Sequence, residues 1–434
     1  MKTIILIYPK VQYEENYPCT WIPYSSLAIS ESIDSEKYNV IVIDLNYTSI
    51  EEYTIIVEKY KNQILTLAFS IMTGGGQIKS ALTCCGIAKK LDKKINICFG
   101  GPHVNILAEQ TIENNNIDDV IVGPGQKAFP IYIDYLEGKC IAEDVPGLIS
   151  KRENRKLYGK ENLLCAEDMI GYDFANFNLK SYIKSDTTIA SRILNYISAQ
   201  GCIYNCRFCY ETYYKHKYFG IPVDKVKEDF LYLVNEYNIN GIKISDADFF
   251  INMDRAKEIM RYLKKLNLKW AASIHPRDIW NNKEILKEIY DTGGTRILMG
   301  MESANDYVLK NIVRKNICRT QLWEIAKNVS DNNLIGSYTF IVGFPGETTE
   351  QQLETLDFVE KLWGLNPQPE TKIHLYLPYP GTSLFKEACA LGYNPPNTLE
   401  EWSDVSYYSS KMPWIDDKIC NAVREFTKLR FQDK

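Results

Sequence analysis

Short runs of β-branched and aliphatic residues alternate with amphipathic stretches twice along this chain, and a parallel sheet flanked by helices is the arrangement that buries such a pattern. Candidate strands at 3–8, 40–44, 65–70, 96–99 and 119–122 are separated by helix-like stretches near 25–35, 50–61, 77–91, 104–114 and 127–136. Five such units in succession predict a doubly wound, Rossmann-like α/β domain over 1–138. The rhythm lapses over 139–190, where 145–149, a charged turn at 151–156 and Leu157-Tyr158 suggest a small hairpin within a linker. It resumes with strands at 193–199, 241–245, 269–274, 296–301, 338–342 and 372–377. Six units are too few for a closed eight-stranded barrel and predict a partial (β/α)6 TIM-type barrel over 191–391, with 392–434 as a short C-terminal cap.

A length of 434 residues, 45% of them hydrophobic and 24% charged, suits two or three globular domains. The net charge of −5 gives no reason to expect nucleic acid. The apolar run in MKTIILIYPK ends at Pro9 without a small-residue cleavage site, so it reads as a buried strand rather than a signal peptide. No apolar stretch reaches the roughly 18–20 residues needed to span a bilayer, and a cytoplasmic protein is expected. The twelve cysteines are scattered, which disfavours a disulfide framework; nine, Cys84 and Cys85 among them, read as small core residues.

The other three stand directly after the first strand of the second run. Gly201-Cys202-Ile203-Tyr204-Asn205-Cys206-Arg207-Phe208-Cys209 is a C-x3-C-x2-C array, a spacing that twelve random cysteines would produce in roughly one chain in a hundred. Three thiolates on one loop favour iron or zinc. Structural zinc asks for a fourth ligand, and His216 is the only nearby candidate. Three cysteines on a four-iron cluster instead leave one iron open to a ligand.

This loop resembles the signature of the radical S-adenosylmethionine (SAM) superfamily, in which three cysteines bind a [4Fe–4S] cluster and SAM chelates the fourth iron. Phe208 matches the aromatic residue that precedes the last cysteine. The resemblance implies SAM contacts from Ser245, Asp246 and Asp248 after the second strand and from Glu302 and Ser303 after the fourth. Gly343, Phe344 and Pro345 match the adenine-side loop. Alone, Asp246 and Asp248 would equally suit a helix cap, and Glu302 a plain loop carboxylate.

The first domain resembles the cobalamin-binding domain of cobalamin-dependent radical SAM enzymes. Its strand-end loops supply Ser70, Met72, Thr73, Gly74 and Gly75, then Gly100, Gly101, Pro102 and His103, then Gly123, Gly125 and Gln126. A dinucleotide is disfavoured because Tyr8-Pro9-Lys10 stands where a glycine fingerprint would be. Pro124 and Gln126 replace acids common in that family, and no D-x-H-x-x-G motif is present. What the resemblance implies is an enzyme that cleaves SAM to a 5′-deoxyadenosyl radical and methylates an unactivated carbon through cobalamin. The substrate would be a small molecule or peptide, and the electron donor a flavodoxin or ferredoxin. Cyclisation, rearrangement or oxidation is the alternative chemistry, and a non-catalytic metal-stabilised binding module the alternative class.

Overall fold

The computed structural model describes residues 1–11, 21–152, 156–215, 217–405 and 411–432. His216, Tyr407 and Tyr408 lie outside them. The chain forms two compact units, Met1–Ser181 with Pro395–Ser409, and Tyr182–Asn394 with Ser410–Lys434. Among the described residues no helix is long and apolar enough to cross a membrane.

The first unit is built on strands β1 (Lys2–Tyr8), β2 (Tyr38–Asp44), β3 (Ile64–Ser70), β4 (Ile97–Gly100), β5 (Asp119–Ile121), β6 (Leu148–Ser150) and β7 (Leu157–Tyr158). Their order is β2-β1-β3-β4-β5-β6-β7. The first five are parallel, and β6 and β7 add antiparallel. The central strand β1 reads as unbroken apolar sequence because both its faces are covered. Ile5 and Ile7 join one core with helices α2 (Ile50–Tyr60) and α3 (Gly76–Leu91), where Cys84 and Cys85 are also buried. Ile4 and Leu6 point the other way, into a core shared with α5 (Gly125–Leu136).

Two segments depart from the expected boundaries. The stretch expected as a linker hairpin extends the first sheet, because Val120 pairs with Ile149 and seals the edge of β5. The segment expected as a C-terminal cap is divided between the units. Its helix α13 (Leu399–Trp402) belongs to the first, where the buried Trp402 Nε1 donates to Gln110 Oε1 at 2.7 Å. It therefore packs on α4 (Pro102–Ile112), which carries Gln110.

The second unit holds β8 (Lys184–Asp186), β9 (Ala190–Tyr196), β10 (Ala199–Gly201), β11 (Tyr218–Gly220), β12 (Gly241–Ile244), β13 (Lys269–Ser273), β14 (Gly294–Glu302), β15 (Ile335–Val342) and β16 (Glu370–Leu375). Six of these, in the order β16-β15-β14-β13-β12-β9, are parallel and form the expected curled partial barrel, with β8 antiparallel on its edge. Helices α6 (Val223–Tyr237), α7 (Met253–Lys265), α10 (Arg319–Asp331) and α11 (Thr349–Leu362) follow β11, β12, β14 and β15. Such a barrel gathers its strand-end loops at one edge, and the cysteine array is one of these.

Candidate active site

The cysteine loop is framed by a small hairpin that the sequence did not disclose. Gln200 of β10 pairs antiparallel with Phe219 of β11, and three-residue strands are too short to carry a periodic signal. Buried Asp246 holds the turn that enters the hairpin, accepting from Ser198 N at 2.5 Å, Ser198 Oγ at 2.6 Å and Ala199 N at 3.2 Å. From the opposite side the Arg255 guanidinium donates to Ser198 O at 2.8 Å and Ile221 O at 2.9 Å. Asp246 thus spends both oxygens on backbone and hydroxyl, which makes it a support of the loop.

Cys202, Cys206 and Cys209 are all free thiols, with Cys206 the most enclosed. Burial pushes the Cys202 thiol up to about 12 and raises the other two, and the three groups also raise one another where they interact. Thiolates can form here only against compensating positive charge, which a metal cluster supplies. Among the described residues no three His, Cys, Asp or Glu side chains converge on a single ion. Three cysteine thiols on one loop match the three protein ligands of a four-iron cluster with one iron left open.

Around this loop the strand ends contribute polar atoms without partners. Ser245 Oγ, Asp248 Oδ2, His275 Nε2 and Asp278 Oδ2 are buried and unbonded. The Tyr204 ring, inside the cysteine loop, stacks on His275 at 3.6 Å, and its hydroxyl donates to Asp278 Oδ1 at 2.6 Å. His275 Nδ1 accepts from Arg277 N at 3.2 Å, so the ring proton sits on the unbonded Nε2. Burial, with Lys315 and Arg277 nearby, keeps this imidazole neutral. Burial, then the adjoining Asp278 carboxyl, pushes Asp248 well above the usual carboxylate range. A hydrogen bond from the Asp248 carboxyl to Asp278 accounts for outer oxygens that would otherwise be orphaned. Ser245 Oγ and His275 Nε2 remain without partners and suit a polar ligand such as SAM.

Phe208 and Phe344 meet with ring centroids 5.6 Å apart, and Pro345, next to Phe344, is buried. Gly343 is enclosed: its carbonyl accepts from Trp414 Nε1 at 2.9 Å and its N–H donates to Glu347 Oε2 at 2.6 Å. Ser303 is also withdrawn, its buried hydroxyl bonded to Thr355 at 3.1 Å. Glu302 is buried against Lys315 Nζ at 2.9 Å. Lys315, His275, Asp278, Tyr204 and Arg255 escaped sequence reading. The rule that polar residues matter just after strands would have flagged His275, but Lys315 follows no strand.

In the first unit, several glycines expected to make room for a ligand make room for the chain. A Cβ on Gly101, at φ +93°, would lie 2.8 Å from Ile71 O and Ser70 Oγ. One on Gly123 would run into Asn162, and one on Gly125 would press on Ile29 at 3.0 Å. Gly74 faces the Val405 carbonyl, and Gly75 N donates to Trp402 O at 3.1 Å. What the carboxyl edge offers instead is open backbone. Helices α3, α4 and α5 begin there with no side-chain cap and no acid in the first turn; α3 and α5 leave N–H donors for an electron-rich ligand, whereas at α4 Pro102 has none and His103 N donates to Ile71 O at 3.1 Å. Buried Gln77 Nε2 is unbonded, and its Oε1 accepts from Met72 N at 2.8 Å. Met72 is exposed, while Ser70, Thr73, Gly100, Pro102 and Gln126 are half-buried. This donor edge fits the carboxamides and phosphate of cobalamin.

His103 does not face that edge. Its ring is fully buried, edge-on to Trp402 at 5.8 Å, with neither nitrogen bonded. Burial lowers its pKa to about 4. The unfolded chain therefore takes up a proton that the folded chain refuses between about pH 6.5 and pH 4, and stability falls as pH falls through that window. A displacement of this size is worth about 3 kcal/mol at the acid end. His103→Phe should flatten this acid-side decline in thermal midpoint, measured from pH 7 to pH 4; an unchanged slope would show that the ring is not buried neutral.

Residues 196–359 match the family model of the radical SAM superfamily, and residues 15–133 match that of the B12-binding domain. The chain is a radical SAM protein with a B12-binding domain. The radical SAM match begins at the end of β9 and takes in the cysteine loop and the loops after β12 to β15. Over 401 residues the chain is 27% identical to an uncharacterized methyltransferase of Pyrococcus horikoshii, covering 90% of this chain and 83% of the relative. It is 23% identical over 334 residues to the cytidylyl-2-hydroxyethylphosphonate methyltransferase of Streptomyces wedmorensis, covering 69% of this chain and 62% of that one. The structure of the radical S-adenosylmethionine methyltransferase TsrM from Kitasatospora setae, with cobalamin and a [4Fe-4S] cluster bound, superposes with a TM-score of 0.73. It covers 91% of this chain and 80% of that one at 14% identity, a likeness of fold.

Proposed function

We propose that this radical SAM protein is a cobalamin-dependent methyltransferase. In this reading the second unit cleaves SAM at a [4Fe–4S] cluster on Cys202, Cys206 and Cys209, and the first binds cobalamin. The observation that carries it is the trio of free cysteines on one barrel loop, ringed by unpartnered polar atoms, in a chain that also holds a B12-binding sheet. When bound, the cluster supplies one electron to break a carbon–sulfur bond of SAM, and cobalamin supplies the methyl carrier.

The chain's own residues bind, orient and exclude water. Phe208, Phe344 and Pro345 would enclose the adenine; Ser245 and Asp248 would meet the polar end of SAM, and Glu302 its ribose side. Asp246, Ser303 and Gly343 would act from behind, fixing the loops that carry those contacts. In the first unit the starts of α3, α4 and α5, with Gln77 and the loops Ser70 to Gly75, Gly100 to Pro102 and Gly123 to Gln126, would receive cobalamin. The substrate would be a small molecule or peptide, and a one-electron donor of the flavodoxin or ferredoxin type would reduce the cluster.

Protein reconstituted anaerobically with iron, sulfide and hydroxocobalamin, then given reductant and methyl-labelled SAM, should yield 5′-deoxyadenosine and S-adenosylhomocysteine. With substrate present, label should enter the product. Formation of 5′-deoxyadenosine with the label recovered only in methionine and unspent SAM, and none in S-adenosylhomocysteine-coupled product, would favour cyclisation, rearrangement or oxidation. No cleavage by fully loaded protein would favour a binding module.

A further inference from the structure

An unusual amount of local strain is gathered on one buried ion pair beside the cysteine loop. Glu302 ends β14 at φ +63°, where the register with β15 slips between Gly300 and Glu302. Its carboxylate folds back over its own strand, and a Cβ on Gly300 would strike Glu302 Oε1 and lie 3.2 Å from Lys315 Nζ. Only glycine leaves room for the pair. Lys315 is in turn flanked by Arg314 at φ +60° and Asn316 at φ +53°. Left-handed backbone at three non-glycine residues persists only where surrounding structure imposes it.

The strained segment is fastened to the metal-binding loop. The Arg207 N–H, between Cys206 and Cys209, donates to Val313 O at 3.1 Å, and the Arg207 guanidinium donates to Ile312 O at 3.4 Å. Lys315 follows two residues after Val313, side chain 5% exposed. Its ammonium interacts with the thiols of Cys206 and Cys209, and at Cys206 it outweighs Glu302. A buried lysine that only balanced Glu302 could sit anywhere; this one stands on the segment that is bonded to the cysteine loop through Arg207.

We propose that Lys315, positioned by Glu302, sets the reduction potential of the cluster held by Cys202, Cys206 and Cys209. The proposal rests on those cysteines being the cluster ligands. A fixed positive charge beside the thiolates favours the reduced cluster, which carries one more electron, and a low-dielectric setting makes that charge felt. Lys315 is a positioning and tuning residue here, since it need not touch the reacting atoms.

The test is a redox titration with dithionite and mediators, followed by electron paramagnetic resonance on anaerobically reconstituted protein without SAM. One electron enters the cluster and no other bond changes. Lys315→Met should retain iron and sulfide but shift to lower potential, with the reduced-to-oxidised ratio falling about tenfold at fixed potential, equivalent to about 59 mV. Glu302→Gln should shift it the other way, and Lys315→Arg should restore the wild-type value. The double variant Lys315→Met with Glu302→Gln leaves no unpaired buried charge; it should also shift downward, by less than the single lysine variant. Full iron with an unchanged potential in Lys315→Met and in the double variant would overturn the proposal. So would an unchanged potential with weakened SAM binding, which would make Lys315 a SAM ligand instead. A wild-type chain that takes up no iron would overturn the cysteine assignment and this proposal together.

Discussion

Alanine at Cys202, Cys206 or Cys209 should leave the protein colourless after anaerobic reconstitution and unable to cleave SAM. Each substitution removes one of three protein ligands, and two thiolates do not retain a four-iron cluster that is already one protein ligand short. Cys84→Ala and Cys85→Ala remove buried sulfurs in the first unit and should lower stability modestly while leaving iron content and SAM cleavage intact. Cys318→Ala, at the start of α10, should do the same. Iron, sulfide and 5′-deoxyadenosine measured across the six variants decide the matter. A variant of the first three with wild-type iron and turnover would end the cluster assignment.

Asp246→Ala should be the most damaging substitution outside the cysteines. It would strip the acceptor from two backbone N–H groups and a hydroxyl that are buried at Ser198 and Ala199, just upstream of the cysteine loop. Unpaired buried donors cost about 1–3 kcal/mol each, and the facing Arg255 would lose its nearby counter-charge, so a loss of about 3–5 kcal/mol is expected. The hairpin of β10 and β11 should loosen, and iron retention should fall with it.

Asp246→Asn separates charge from hydrogen bonding. Burial raises Asp246 to about 6, above its ordinary value near 4. The folded chain therefore holds a proton that the unfolded chain has already released between about pH 4 and pH 6. The contribution of Asp246 to stability consequently declines as pH rises through that window. The asparagine keeps an acceptor for the N–H groups but removes the charge facing Arg255, so it should melt between wild type and the alanine variant and lose that decline. If Asp246→Ala matched wild type in thermal midpoint and iron content, the loop would be held by something other than this clamp.

The order of the βα units, the open barrel and the reactive loop were all legible in the residues. Periodicity and spacing are local properties of a chain, and C-x3-C-x2-C needs no partner elsewhere to be recognised. Phe208 and Phe344, each in a short motif after a strand, are brought into ring contact by the fold. The same reading misjudged how residues within motifs are used. Ser303 and Asp246 share motifs with other strand-end candidates, yet Ser303 is bonded to the Thr355 hydroxyl and Asp246 to Ser198 and Ala199. The glycines of the first unit carry the right spacing for ligand loops, while Gly101 and Gly123 are required by Ile71 and Asn162.

The sequence by itself determined which secondary elements form, how many units each sheet receives, and where three thiols meet on one loop. Tertiary structure alone decided that Trp402 would join the first unit while Trp414 joined the second, that Arg255 would reach Ser198 across 57 residues, and that Lys315 would be buried on Glu302. The physical reason is the range of the forces involved. Hydrophobic period and turn chemistry act between near neighbours in sequence, whereas a buried charge is settled by whichever partner the packed strands and helices bring within hydrogen-bond reach.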